Sequence, residues 1–338
     1  METKRLLVDK ESYAKSINTA ALILKSGGVV AIPTETVYGL AASAYDDNAI
    51  VKVFKAKGRP QDNPLIVHIS NMDMLYEVAD NIPKKAIECA KRFWPGPLTM
   101  VLEKKDVVAQ SVSAGLSTVA VRMPSNKIAR DVISACKLPL AAPSANSSGS
   151  PSPTNPQHVL SDLDGKIDAV IMGEDSTVGV ESTVITLVGE HPVLLRPGAV
   201  TLEQLKEILP DITVDKAVLS ELEAGQKAAS PGMKYKHYAP ETETFLVEGE
   251  SFSEFVNQKE NALAVCFLEE SEEIKIPKLI YGTKENPESF ANKLFAILRD
   301  VDNAGAKEVY VHAPEKQGVG LAVYNRLIRA AAFKVIKL

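Results

Sequence analysis

The sequence predicts an α/β chain: a twisted open sheet with flanking helices, followed by a smaller C-terminal α/β domain. Three observations carry that expectation. Short runs rich in Val, Ile, Leu and Ala, such as Val29 to Ile32, Leu65 to Ile69 and Leu138 to Ala142, alternate with helical patterns, as strands packed against helices do. Polar or Pro/Gly turns close many of these runs, at the strand ends where open α/β sheets bind ligands. The 338 residues suggest about two domains, and 45% hydrophobic residues are ample for packed cores.

In chain order, residues 12 to 26 place Ala14, Ile17, Ala21, Leu22 and Leu24 at roughly helical spacing, and Gly27 and Gly28 end the helix. The strand Val29 to Ile32 runs into PTETVYGL, where Pro33 breaks the pattern and Thr34, Glu35, Thr36 and Tyr38 gather polar groups before Gly39. A helix over Asn48 to Ala56 leads through KGRPQDNP to the strand Leu65 to Ile69. Helices over 84 to 93 and Asn126 to Cys136 are expected, with strands over Leu98 to Leu102, Ser117 to Met123 and Leu138 to Ala142. Strands Asp168 to Met172 and Val184 to Val188, then LLRPG at another strand end, precede a helix over Leu202 to Leu209. Thr201 and Gln204 have the spacing of a capping box for it. The first domain is read as residues 1–210.

Residues 211–240 mix charges and alanines without sustained periodicity and read as a linker. Its motif SPGMKYKHYAP packs hydroxyl, cationic and aromatic groups too densely for a plain spacer, so it is expected to fold over the first domain's site as a lid. Residues 241–338 alternate as strand Thr244 to Val247, helix Ser253 to Gln258, strands Leu263 to Leu268 and Lys278 to Tyr281, helix Pro287 to Val301, strand Val309 to His312 and helix Leu321 to Ala332. That order predicts a Rossmann-like domain with a largely parallel sheet.

Composition narrows the function. The net charge of −5 divides into −1 over residues 1–210, 0 over 211–240 and −4 over 241–338. A balanced first domain with a local cationic cluster suits a small anion better than an extended nucleic-acid footprint, so direct RNA binding is not supported by charge. No apolar run reaches the roughly 18 residues that span a bilayer, and METKRLLVDK lacks a secretory core, so a soluble cytoplasmic protein is expected. Cys89, Cys136 and Cys266 are odd in number and far apart, which argues against a disulfide framework. There is no GxxxxGK[ST] loop, GxSxG elbow, HExxH or paired-Cys motif, and GVGLAVYN fails the dinucleotide fingerprint at Val323. No protein-held metal is expected.

What remains is a set of cations, hydroxyls and amides at strand ends. Lys52, Lys55, Lys57 and Arg59 cluster at a helix end and the following loop, which Pro60 and Pro64 stiffen. Arg offers a planar fork and Lys a mobile charge to a polyphosphate; the bland alternative is a solvated helix end favoured by the dipole. His68 sits among aliphatic residues, where a histidine is usually a satisfied structural residue. Thr118 opens a strand and Arg122 nearly ends it, either as a ligand contact or as half of a surface ion pair. Ser144 and Asn146 begin PSANSSGSPSPT, which either connects or wraps hydroxyls and N–H groups around ligand oxygens. Ser182 and Thr183 begin a strand after GVE, and Arg196 ends another.

In this order PTETVYGL, KGRPQDNPLIVH, RFWPGPLT, VAVRMP, AAPSANSSGSPSPT, GVEST and LLRPG resemble the Sua5/YrdC/YciO family, and SPGMKYKHYAP with the last domain resembles its longer, Sua5 form. The resemblance covers essentially the whole chain. It implies a YrdC-like catalytic domain that joins L-threonine, bicarbonate or CO2, and ATP into threonylcarbamoyl-adenylate with release of pyrophosphate, for the t6A modification of tRNA at position 37. It implies that Thr36, His68, Arg122, Ser182 and the backbone of Ala142 hold threonine, and that Lys57, Arg59, Asn63, Thr118, Ser144, Asn146, Ser152, Arg196 and Tyr235 hold ATP. Lys57 and Arg59 would carry the catalytic charge stabilisation, with Mg2+ held mainly by the phosphates. Proteins that transfer the t6A group would receive the product. An RNA-binding module and a different carbamoyl-adenylate enzyme, as in hydrogenase-maturation relatives, are the rival readings. The extra zinc-finger-like and acylphosphatase segments of those relatives do not occur here.

Overall fold

A computed structural model describes residues 2–220 and 238–338. Among them twelve strands form the first sheet. From edge to edge it runs Lys4–Leu7, Ala169–Met172, Val30–Ile32, Gly39–Ser43, Leu140–Ala141, Ile66–His68, Thr118–Arg122, Leu98–Lys104, Thr183–Thr186, Val193–Arg196 and Thr213–Val214, with Ala79–Asp80 pairing off Leu98–Lys104. Its pairing is mixed. Ile66–His68 and Thr118–Arg122 run parallel with His68 opposite Arg122, while Gly39–Ser43 is antiparallel to both neighbours.

The flanking helices form where periodicity and capping coincide. Tyr13–Lys25 buries Ile17, Ala20, Ala21 and Leu24, a single face at helical spacing. Asp47–Lys57 is capped by the Asp46 carboxylate, which accepts from the amides of Asn48 and Ala49. Gly58, at φ 62°, ends that helix in the left-handed region and turns the cationic loop away from it. The Thr201–Gln204 capping box forms as expected, on a helix that ends at Lys206.

The second sheet is wholly parallel, in the order Lys278–Gly282, Ala262–Phe267, Glu308–His312, Glu243–Glu248, Val335–Lys337. Its fourth strand in sequence lies between the second and the first. Helices Pro287–Asn303 and Gly318–Ala330 complete it. Among the described residues no helix is long and apolar enough to cross a membrane.

The start of the expected linker adds to the first sheet, since Thr213–Val214 runs parallel to Val193–Arg196. Ser230, Lys234, Tyr235, Lys236 and His237 of the SPGMKYKHYAP motif, and with them the body of the expected lid, lie outside the described residues. The two domains share a core. Val37 and Val180 of the first pack with Tyr238, Phe290, Phe295 and Leu298 in one apolar cluster. Gly179, at φ 81°, meets helix Pro287–Asn303 so closely that a Cβ would stand 2.4 Å from the Asn292 Cα, and the Asn292 amide donates to the carbonyls of Ser176 and Thr177 at 3.0 Å.

Candidate active site

The turn between Val30–Ile32 and Gly39–Ser43 holds itself together. The Thr34 hydroxyl donates to the Val37 carbonyl at 2.6 Å and accepts the amides of Thr36 and Val37. This fixes Thr36 opposite the end of strand Thr118–Arg122, where the Arg122 Nη1 donates to the Thr36 hydroxyl at 2.8 Å. Arg122 Nη2 pairs with the Glu35 carboxylate at 2.7 Å, and Nε donates to the Gly96 carbonyl. Burial opposes the Glu35 charge, yet the Arg122 charge and hydrogen bond outweigh it and hold this carboxyl below its ordinary range. The guanidinium is therefore locked in orientation. His68, level with Arg122 on the next strand, is buried, with Nδ1 3.2 Å from the Ile66 carbonyl. Burial and then the neighbouring Arg122 charge push its pKa down to about 3, so the imidazole is neutral at physiological pH.

The serine-rich loop closes the other side. Gly39 bridges to Ser144, and the Leu40 and Tyr38 amides donate to the carbonyls of Pro143 and Pro153. Lys57 reaches in from the end of its helix, and its Nζ lies 2.5 Å from the Ser144 carbonyl, 2.6 Å from the Asn146 carbonyl and 3.3 Å from Asn146 Oδ1. Three acceptors match three ammonium donors. Lys57 thus shapes the loop rather than standing free as the mobile charge that the sequence suggests. Burial first, then the like charge of Arg59, lower its pKa well below normal. Arg59 Nη2 donates to the carbonyls of Asn63 and Pro64 at 3.3 and 3.4 Å.

A cleft of about 750 Å³, partly open to solvent, runs between these groups. Of the residues singled out in the sequence, Thr36, His68, Arg122, Ala142 and Ser182 line it, and so do Lys57, Arg59, Ser144, Asn146 and Arg196. Ser182 Oγ lies 2.7 Å from the Thr99 hydroxyl and accepts from Arg196 Nη2 at 3.2 Å. Burial, then the Arg326 charge, bring the Arg196 pKa down to about 10.

Three expected contacts sit off the wall. The buried Ser152 gives its hydroxyl to Glu181 Oε1 at 2.6 Å. Asn63 is buried, and neither polar atom of its carboxamide has a hydrogen-bond partner among the described residues. Thr118 shares a strand face with Ala120 and Arg122, about 13 Å from the latter at some 3.3 Å per residue. Between them that face is apolar, formed by Ile66, Val101, Ala120, Val184 and Leu195. Tyr235 lies outside the described residues.

Sequence reasoning passed over Glu181 and Arg326 as functional residues, and named Glu35 only within a polar turn and Tyr238 only within the expected lid. Glu35 and Glu181 stood inside quoted motifs, where a carboxylate among so many cations was the signal. Arg326, fully buried in helix Gly318–Ala330, gave none: its Nε donates to Glu181 Oε2 at 3.0 Å across the domain boundary. Tyr238, where the described chain resumes, lines the cleft and packs on Phe295 with centroids 5.1 Å apart.

Fold and site together define an α/β protein with a buried cationic cleft at strand ends, suited to an anion with several oxygens beside a small polar molecule. The Sua5/YciO/YrdC family model, described as telomere recombination, matches residues 22–198. A second, described as the C-terminal domain of threonylcarbamoyl-AMP synthase, matches residues 200–332. The threonylcarbamoyl-AMP synthase of Pyrococcus abyssi is 44% identical over 328 residues, 95% of each chain, and that of Bacillus subtilis is 42% identical over the whole of both. The structure of P. abyssi Sua5 complexed with L-threonine superposes with a TM-score of 0.90 at 39% identity, covering 100% of both chains. The chain belongs to the Sua5/YciO/YrdC family, in its long two-domain form.

Proposed function

We propose that this chain is a threonylcarbamoyl-AMP synthase: it makes L-threonylcarbamoyladenylate and pyrophosphate from L-threonine, bicarbonate or CO2, and ATP, for t6A37 in tRNA. Full-length likeness to proteins of that name supports the reading, as does an L-threonine complex of P. abyssi Sua5. The observation that carries it is the pairing within one cleft of a locked Arg122 beside a neutral His68 with the Lys57-braced serine loop, Arg59 and Arg196.

Threonine would enter the Thr36, His68, Arg122 end with its carboxylate toward Arg122, sharing a guanidinium that Glu35 already orients. A neutral His68 adds no positive charge against the ammonium group, which gives a proton to solvent and becomes the free amine. The amine attacks CO2, forming the N–C bond of a carbamate as one C=O π bond breaks onto oxygen, and the proton it loses passes to solvent. A carbamate oxygen then attacks the α-phosphorus of ATP, and the bond to the bridging oxygen breaks with its electron pair leaving on pyrophosphate. Arg59 and Arg196 place positive charge along the triphosphate, and Lys57 braces the serine-rich loop beside it. The Asn63 carboxamide has no hydrogen-bond partner among the described residues, which costs about 1–3 kcal/mol while unsatisfied, and a nucleotide contact would supply one. Mg2+ enters with the triphosphate as part of the substrate. The product would pass to t6A-transferase proteins in the cytoplasm. Incubation with labelled bicarbonate, ATP and each amino acid in turn tests this. Label should enter an adenylate with threonine and not with the others; no adenylate with threonine overturns the reading.

A further inference from the structure

We propose that the C-terminal domain is a working part of the nucleotide end of the site, through two positioning residues, Arg299 and Arg326, that hold the serine-rich loop in its binding shape. This rests on the reading above that the loop meets ATP.

Arg299, on helix Pro287–Asn303, forks onto Asp162 with Nη1 and Nη2 at 2.9 and 3.0 Å and gives Nη2 also to the Pro151 carbonyl at 2.5 Å. Asp162 in turn accepts the Ser147 amide at 3.0 Å. Arg326, on helix Gly318–Ala330, gives Nε to Glu181 Oε2 and Nη2 to the Glu181 carbonyl at 3.1 Å, and bonds the Pro197 carbonyl. Glu181 Oε1 receives the Ser152 hydroxyl. Two helices of the second domain therefore grip adjacent residues, Pro151 and Ser152, one directly and one through a carboxylate that lines the cleft. At the loop's near end Lys57 holds Ser144 and Asn146, and its carbonyl accepts the Ser148 amide.

The stretch that lines the cleft, from Ser144 to Ser150, is thus pinned from the first domain at one end and from the second at the other. A loop rich in Ser and Gly has many conformations to lose, and fixing it before the ligand arrives removes that cost from binding. Both guanidiniums use the planar fork, which a lysine of equal charge cannot reproduce. Simple glue between domains would need neither the chosen partners nor their common target.

Arg299→Lys and Arg326→Lys in the full chain separate the two roles. Near-UV circular dichroism checks the fold, calorimetry with a non-hydrolysable ATP analogue and with threonine measures the ends of the cleft, and amide exchange follows residues 143–154. The expected result is ATP-analogue affinity weakened roughly tenfold or more, faster exchange over 147–152, and unchanged threonine affinity. A lower melting temperature with analogue affinity and loop exchange unchanged overturns the proposal and leaves only glue. Should Arg326→Lys fail to fold, Arg299→Lys decides alone, because its side chain lies at the rim of the boundary and is partly exposed. None of these readouts needs turnover. A wild-type chain that makes no adenylate defeats the proposed function, while loop exchange still decides the clamp.

Discussion

Each sheet carries a buried histidine at the carboxyl end of a central strand, and the two keep opposite company. His68 ends Ile66–His68 beside Arg122, with a backbone carbonyl as its ring's hydrogen-bond partner and the cleft in front. His312 ends Glu308–His312 with Nδ1 2.7 and 2.8 Å from the two oxygens of Glu270, its ring stacked on Phe252 at 4.6 Å and its carbonyl taking the Tyr281 hydroxyl at 2.6 Å. Lys284 completes that cluster, 3.4 Å from Glu270. Position at a strand end is common to both. What separates a site from a satisfied hydrogen-bonded cluster is which charges face the ring and whether open space lies beyond it.

The sharpest way to break this comparison is at the charge beside His68. Arg122→Met should leave Glu35 buried without its cation, costing about 3–5 kcal/mol in urea unfolding, and should abolish adenylate formation. Adding Glu35→Gln should recover most of the stability and none of the activity. A single variant as stable as the parent would mean that this pair does not organise the site. In the other sheet, Glu270→Ala should cost about 2–3 kcal/mol while adenylate formation per folded molecule stays at the parent level. Burial acts against the Glu270 charge, but His312 and further contacts hold its carboxyl below the ordinary 4.5. Its stabilisation is therefore full above that value and fades as pH falls through the folded-state value, so the variant should lose part of the parent's acid lability. Activity lost with Glu270 would erase the distinction.

The smallest effect concerns the His68 proton. Its folded pKa of about 3 against an ordinary 6.5 means that the unfolded chain binds a proton which the folded chain refuses, so stability rises with pH across that window. Between pH 6 and 7 the rise is about 0.7 kcal/mol from this group. Denaturation midpoints of the parent and His68→Asn across that interval should differ in slope by this amount, and equal slopes would show His68 titrating normally.

Much of the architecture was legible because burial writes periodicity into the chain. The helix at Lys84–Phe93, the strands around His68 and Arg122 and the parallel alternation after residue 241 emerge as read. The helices Met72–Val78 and Pro156–Leu163 were missed although Asn71 and Asn155 cap them, but two missed strands lack such a record. Lys4–Leu7 is an edge strand with mostly exposed residues, held by register with Ala169–Met172, and Gly39–Ser43 is built of small residues with no β-branched signal. Of the site, the cations and hydroxyls at strand ends were visible as types. Their partners were not: Lys57 read as a phosphate contact, and nothing in its neighbourhood revealed that backbone carbonyls across the cleft take its three donors.

The chain's own order settled those helices, strands, caps and turns whose signals lie within residues a few positions apart. It also showed cations and hydroxyls at the ends of strands in the first part of the chain. Only the tertiary structure decided that Arg122 meets Glu35, and that Arg326 crosses between domains to Glu181, 145 residues away in sequence. A charge removed from water must find its counter-charge wherever packing brings one, and that choice leaves no trace in local spacing.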